Sequence, residues 1–392
     1  MRWRSRSIAA AVAVAVAVVT TSSVRSADLP PIKIGIVYSY TGTPEYIGRG
    51  FDAGLQAFIA EHGDMVAGRK IVLIKRDDNL QPETARRVAQ ELIVQENVDY
   101  LAGVGVTPNA IAVAQVSTQA KKPFFIANAA TSGILAANPY TVRLGFTTKQ
   151  TTVPLAQWAL ANKVRTVYAV FQDYGPGIDA GAQFAKTFTA GGGKVVGESR
   201  VPATALDDAA YVQRVKDAKV DAAFTFFNLT GATVFLKAAS AGGLVGSGAK
   251  ILSADLLVDE NDLLSGDESL IGLISSGNYL STLDSSLNRR FMHDFAVAYG
   301  SPRLPGFNEV AAYDTMSAIY RVIAAQKGAT DPDKTMELLK GMTFESPRGP
   351  IVIDAQTRDI VQNVYIGRIE KRNGRLKVVP IATIPMVKDP SE

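Results

Sequence analysis

The sequence predicts an α/β fold of two units, each a parallel sheet flanked by helices. Three observations carry that expectation. Apolar runs of strand length alternate with helical stretches from Ile32 onward, the pattern of strand–helix–strand units. The alternation restarts at Arg165. The chain has 392 residues, of which 47% are hydrophobic and 20% charged, enough for two cores.

In the first unit, Ile32–Tyr38 reads as a buried strand, and Phe51, Leu55, Phe58 and Ile59 give helical spacing over about residues 46–61. Lys70–Asp77 is a second strand. Asp77-Asp78 reads as a cap for a helix whose first turn holds Pro82. Strand 98–104, helix 108–120 and strand 123–127 complete the unit. The second unit runs strand 165–171, a helix to about Ala190 stopped by Gly191–Gly193, strand 194–200, helix 209–218, strand 220–227, a helix over about 231–241 and strand 250–253. Helices at 285–299, 307–326 and 331–340 follow. Short strands are predicted at 349–353, 363–369 and 376–384. The helical tail needs a face to pack on, and the first unit supplies it. No Pro/Gly/Ser-rich linker joins the units near Arg143–Lys149, which predicts a close hinge rather than a tether.

The first residues read as a secretory signal peptide. Arg2, Arg4 and Arg6 precede the 12-residue apolar or small run Ile8–Val19, too short to span a bilayer, and Val24 and Ser26 suit a cut after Ser26. Residues 1–26 hold four arginines and no acidic residue, so their removal takes the formal charge from +4 to zero. The mature chain therefore offers no charge argument for nucleic acid or anionic membrane. Cysteine is absent, so an exported protein must be held by its core and has no lipid attachment point near the cut. The periplasm is the expected compartment.

Parallel α/β sheets bind ligands beyond the carboxyl ends of their strands. That rule selects Tyr40–Ile47, Asp77-Asp78, Val104–Asn109 and Ala127–Ser132 in the first unit. In the second it selects Gln172–Gly177, Phe226–Thr230 and Ala254-Asp255. In Gly103-Val104-Gly105-Val106-Thr107-Pro108-Asn109 a strand runs into a helix start, where amides and the Thr107 hydroxyl suit a carboxylate; the competing reading makes Thr107 an N-cap. The turn Ala129-Ala130-Thr131 on a neighbouring strand supplies a second hydroxyl. Tyr174 either reaches across a cleft or sits at the surface of a turn. Asp255 either neutralises a ligand ammonium or caps the next helix.

Enzyme signals are absent from the sequence. The two histidines, His62 and His293, have no metal-ligand spacing, and there is no GxSxG elbow or P-loop. Gly103 and Gly105 lack the third glycine of a dinucleotide fingerprint. No catalytic residue, metal or cofactor is expected.

The order and spacing of Lys33-Ile34-Gly35-Ile36, Thr41-Gly42, Asp77-Asp78, Pro82, Ala129-Ala130-Thr131, Asp173-Tyr174-Gly175, Ala312-Tyr313-Asp314, Gly349-Pro350-Ile351 and Asp354 resemble the branched-chain amino-acid-binding family of periplasmic ABC-transporter substrate-binding proteins. The resemblance implies the type I clamshell: two Rossmann-like lobes joined by a three-strand hinge. Its lobes would be residues 32–148 plus 279–363 and 149–278 plus 364–388. It implies a small carboxylate ligand and an inner-membrane ABC permease as partners, and a monomer. By the same resemblance Thr107 and Thr131 hold the carboxylate, the Ala129 carbonyl accepts an ammonium, with Ala130 in the same turn, and Tyr174 closes from the second lobe. Asp255 stands where a glutamate is common, Asn228 where a tyrosine is frequent, and Ile47, beside Tyr46, where an aromatic is common. A branched-chain or other hydrophobic amino acid is the expected ligand; aromatic acids, other small carboxylates or a ligand-sensing role are the alternatives.

Overall fold

The computed structural model describes residues 29–42, 45–202, 204–227, 229–255, 260–301 and 303–390; the segment read as a signal peptide and Asn228 lie outside them. The first sheet contains β1 (Ile32–Tyr38), β2 (Met65–Val66), β3 (Arg69–Asp77), β4 (Tyr100–Gly103), β5 (Phe124–Ile126) and β6 (Thr141–Arg143), in the order β2-β3-β1-β4-β5-β6. All pairs are parallel except β2–β3. Helices α1 (Glu45–His62), α2 (Pro82–Val94) and α3 (Thr107–Ala120) make the crossovers. β1 is apolar apart from Lys33 because helices cover both faces of its sheet. β3 and β4 lie on opposite sides of β1, so the strand order reverses there and opens a crevice at the carboxyl ends of β1 and β4.

After α4 (Thr148–Ala161) the second sheet is laid down by β7 (Thr166–Gln172), β8 (Lys194–Val201), β9 (Ala222–Phe226), β10 (Lys250–Ala254) and β11 (Ile274–Gly277), with α5 (Gly175–Ala190), α6 (Ala209–Asp217) and α7 (Leu229–Ala241) between them. The parallel order β8-β7-β9-β10-β11 reverses at β7 and gives a second crevice beyond β7 and β9. This sheet is mixed rather than parallel throughout. β12 (Thr343–Ser346), β13 (Gly349–Ile353), β14 (Ile360–Arg372) and β15 (Arg375–Val387) add antiparallel strands beyond β11.

Helices α8 (Ser286–Tyr299), α9 (Phe307–Ala325) and α10 (Pro332–Leu339) return to the first lobe, as expected of a helical tail that needs a partner face. Phe51, Leu55 and Phe58 of α1 share one core with Phe291 and Phe295 of α8 and with Val310, Met316 and Ile319 of α9. Phe58 meets Tyr313 and Tyr320 edge-on at 5.1 and 4.9 Å.

Five elements, β2, β6, β11, β12 and α4, escape the sequence reading, β2 because it is only two residues long. β6 and β12 are too short for a periodic signal, and β11 is half serine. α4 holds Pro154 and three threonines in its own span, which mask its helical pattern. Its start is nevertheless well made: the Thr147 hydroxyl accepts from the Gln150 amide at 3.1 Å.

The segments that pass between the sheets meet around Gln362, which is 1% exposed. Its amide nitrogen donates to the Gly145 carbonyl and to Gln150 Oε1, each at 2.9 Å, and its Oε1 accepts from Asn278 Nδ2 at 3.4 Å. One side chain thus ties together the stretches after β6, after β11 and at the start of β14. Beside it Arg348, fully buried, donates to the carbonyls of Gly145 and Leu144 and pairs with Asp314 at 2.7 Å. Burial raises the Asp314 carboxyl and lowers the Arg348 guanidinium, and their pairing opposes both shifts.

Candidate functional site

The two turns singled out in the first lobe lie side by side. The Thr107 and Thr131 hydroxyls are 2.9 Å apart, and Asn128 Nδ2 donates to the Gly105 carbonyl at 3.2 Å, a second tie between the turns. Thr107 is not the helix cap that the competing reading made it. It is the first residue of α3; Val106 is the N-cap and supplies no side-chain bond. The threonine hydroxyl is therefore turned to Thr131, and the first-turn amides of α3 carry no side-chain cap.

Backbone geometry explains why these residue types stand here. Gly103 has φ +116°, and a Cβ at that position would lie 2.3 Å from the Val37 carbonyl oxygen, so only glycine fits between β4 and β1. Val104, Ala129 and Asp255 adopt left-handed φ values of 67°, 57° and 70°, each just beyond a strand end. Such conformations cost non-glycine residues about 1–3 kcal/mol each and persist only where the surroundings over-determine them. At Ala129–Thr131 the surroundings are visible. The Thr148 amide donates to the Ala130 carbonyl at 2.9 Å, and Arg143 Nη2 donates to the Thr131 carbonyl at 2.9 Å. Arg143 is fully buried and pairs with Asp359 at 3.1 Å.

The second lobe presents the start of α5 to this pair. Tyr174 is the extended N-cap of α5 and makes no side-chain cap bond, so this helix start also carries no side-chain cap. A Cβ on Gly175 would lie 3.9 Å from the Thr131 hydroxyl oxygen. Gly177 is required at the same turn, because its Cβ would fall 2.1 Å from the Gln172 carbonyl oxygen. Two helix N-termini, each positive in partial charge, thus belong to the turns that meet at Thr131. Tyr174 packs against Phe226 with ring centroids 6.2 Å apart. Burial and then the negative charge of Asp255 push its hydroxyl well above the usual tyrosine range.

The remaining predicted positions are placed as follows. Asp255 follows β10, half-buried, with its charge felt at Tyr174; the segment it would cap begins at 256, where 256–259 lie outside the described residues. Tyr46, in the first turn of α1, has the Arg303 guanidinium over its ring at 4.1 Å. Asp77-Asp78 does not cap α2, whose N-cap Gln81 makes no side-chain bond. Asp77 instead accepts from the Thr41 hydroxyl at 2.6 Å and the Tyr40 amide at 3.1 Å, and Asp78 accepts from Ser39 at 2.6 Å. The two carboxylates bind the loop after β1 and also accept from the Asn79 and Leu80 amides at 2.9 and 3.0 Å, so they hold the turn before α2 without capping the helix. Asn128 lies in the selected stretch Ala127–Ser132 but was not singled out, and Arg143 was missed. A lone arginine in the apolar neighbourhood of Val142 and Leu144 was the available signal for the second.

His62 packs on Phe58 at 4.2 Å, and His293 lies beside Asp294 at 2.8 Å. Among the described residues no group of three or more metal-ligating side chains is gathered, and no helix is long and apolar enough to cross a membrane.

Two lobes with crevices at their strand reversals, and hydroxyls and helix starts gathered where they meet, define the class: a type I clamshell solute-binding protein. The family model described as a periplasmic binding protein matches residues 31–375. The chain is 39% identical over 342 residues to Leu/Ile/Val-binding protein homolog 6 of Brucella suis biovar 1, covering 87% of this chain and 88% of that protein. The solute-binding protein of an ABC transporter from Rhodopseudomonas palustris BisB5, solved with 3,4-dihydroxybenzoic acid, superposes with a TM-score of 0.87 at 39% identity, covering 92% of this chain and 99% of the other. A counterpart from Rhodopseudomonas palustris HaA2, solved with p-hydroxybenzoic acid, gives a TM-score of 0.87 at 39% identity, covering 92% and 98%. The chain belongs to the periplasmic binding protein family, and it is a solute-binding protein of the ABC-transport type.

Proposed function

We propose that the protein captures a small aromatic carboxylate of the hydroxybenzoate class and passes it, without turnover, to an inner-membrane ABC permease. The observation that carries the carboxylate is the Thr107–Thr131 hydroxyl pair, 2.9 Å apart, with the starts of α3 and α5 free of side-chain caps beside it. Closure over the ligand strips water, so hydrogen bonds to its charge gain weight, about 1.5–3 kcal/mol each. The ring is supported by the Tyr174–Phe226 wall and by the ligands of the two 39%-identical solved relatives. A para hydroxyl meets a polar end at Tyr174 and Asp255.

Asp255 favours a second reading, a branched-chain amino acid whose ammonium it neutralises, and the name of the Brucella suis relative agrees with it. In either reading the site is formed by Thr107, the Ala129–Thr131 turn, Tyr174 and Asp255, with Tyr46 a further candidate. The chain works in the periplasm after loss of residues 1–26, as a monomer. The lobes are 32–148 plus 279–363 and 149–278 plus 364–388. The first division is supported by Phe344, Ile351 and Ile360 sharing the core of α1 and α9.

Thermal shift and calorimetry with 4-hydroxybenzoate, 3,4-dihydroxybenzoate, leucine, isoleucine and valine test the reading. A ligand at a hundred times its Kd adds about 2.7 kcal/mol to native-state stability. Hydroxybenzoates are expected to raise Tm by several degrees and leucine to leave it unchanged. A response to the branched-chain amino acids alone selects the second reading; no response to any of the five overturns both.

A further inference from the structure

We propose that Asp389, in the C-terminal segment after β15, is a positioning residue that braces the ligand-gripping turn from the far side of the hinge. Its Oδ1 accepts from the Ser132 hydroxyl and from the Thr147 hydroxyl, each at 3.0 Å. Ser132 adjoins Thr131, and Thr147 caps α4 just beyond the crossing from β6. β15 belongs to the second sheet, whereas Ser132 follows β5 of the first. One carboxylate therefore joins the gripping turn, the first crossing and a segment anchored in the other lobe.

The segment that carries Asp389 is itself held just before it. Gln150 Nε2 donates to the Val387 carbonyl at 2.6 Å, and Lys388 Nζ donates to Asp354 Oδ2 at 2.9 Å. The first bond fixes the backbone two residues before the carboxylate and the second adds an exposed side-chain tie at the preceding residue, so Asp389 follows an anchored stretch and acts as a short strut rather than a loose tail. Within the turn, Arg143 holds the Thr131 carbonyl and Thr148 the Ala130 carbonyl. Asp389 holds the next residue by its side chain. With the strut gone, the Ser132 side of the turn loses its tie to the second lobe, and the Thr131 hydroxyl loses part of its fixed distance from Thr107.

The effect on ligand affinity rests on the reading of Thr131 as a ligand contact; the bracing itself does not. The experiment therefore has two arms on the mature chain. In the ligand-free protein, hydrogen–deuterium exchange over residues 127–135 is compared among wild type, Asp389→Ala and Asp389→Asn. Asp389→Ala is expected to raise exchange there by about tenfold or more with little change in the α2 and β3 peptides, and Asp389→Asn, which keeps an acceptor oxygen, to stay near wild type. Calorimetry with 4-hydroxybenzoate and leucine as probes forms the second arm. Asp389→Ala is expected to weaken the bound probe by about tenfold, Asp389→Asn by no more than about threefold, and Ser132→Ala to add little in the Asp389→Ala background. Unchanged exchange over 127–135 in Asp389→Ala overturns the strut, as does an equal change across all peptides. Altered exchange with unaltered affinity for a probe that binds wild type overturns the link to the ligand. If wild type binds neither probe, the ligand assignment fails and the exchange arm alone decides the strut.

Discussion

The two walls of the cleft are built in different ways. On the first-lobe wall, Thr107 and Thr131 touch each other, and the turn that carries Thr131 is held from behind by Arg143, Thr148 and Asp389. On the second-lobe wall, Tyr174 and Asp255 come from separate strand ends and act on each other through charge and burial. Under the proposed reading, the first wall is pre-organised to receive one anionic group before closure, which lowers the ordering cost of binding. The second wall faces whatever differs among ligands. One fold can thereby keep its grip on a carboxylate while the opposite wall sets selectivity.

The largest expected effect tests the scaffold behind the first wall. Arg143→Met removes the buried pairing partner of Asp359 and leaves only the neighbouring Arg358 charge, and is expected to destabilise the protein by about 3 kcal/mol, read by chemical denaturation. A change under about 1 kcal/mol would show that the buried pair does not hold the turn. Next is the grip itself. Thr131→Val is expected to weaken the true ligand by roughly ten- to a hundredfold, with Tm within about 2 °C of wild type, by calorimetry. Equal affinity would remove Thr131 from the site and dissolve the contrast between the walls.

Asp255→Asn sharpens the second wall. If the ligand is a branched-chain amino acid, loss of the carboxylate is expected to weaken it by about tenfold or more; for 4-hydroxybenzoate a change of about threefold or less is expected. The smallest effect concerns the turn between β13 and β14. Asp354 is held down to about 2 by the Thr357 amide, with burial opposing, and by the Lys388 and Gln356 contacts. A depressed folded-state value means that its contribution is complete above the ordinary aspartate range near pH 4 and is lost as pH falls towards 2. Acid titration of stability is expected to show that loss in wild type and a reduced one in Asp354→Asn. Identical curves would exclude Asp354 as a contributor.

Much of the fold is legible in the sequence because buried parallel strands leave unbroken apolar runs and their crossover helices leave 3.6-residue periodicity. Thr107 and Thr131 were legible for a related reason: in such a sheet, small and hydroxyl residues just after a strand lie at its open end. Arg143, Asn128 and Asp389 were not legible as partners of these turns. Their ties span from 12 residues, for Arg143 and Thr131, to 257, for Asp389 and Ser132, and no local pattern encodes them. The Asp77-Asp78 reading failed for the same reason. Its residues suit a helix cap, but the structure uses them to tie the loop after β1 to the turn before α2.

By itself, the sequence determined the alternating α/β order and the hydroxyl turns just after the strand ends, which follow from local burial and backbone chemistry. The strand reversals at which crevices form came with the sheet topology. Only the tertiary structure decided that the two threonines face each other and that α9 covers α1. It also decided that the chain's last described residues brace the gripping turn. Those outcomes depend on which surfaces meet when the lobes and the antiparallel strands β14 and β15 close on the hinge, and the energy of such long-range contacts is set by packing rather than by any one segment.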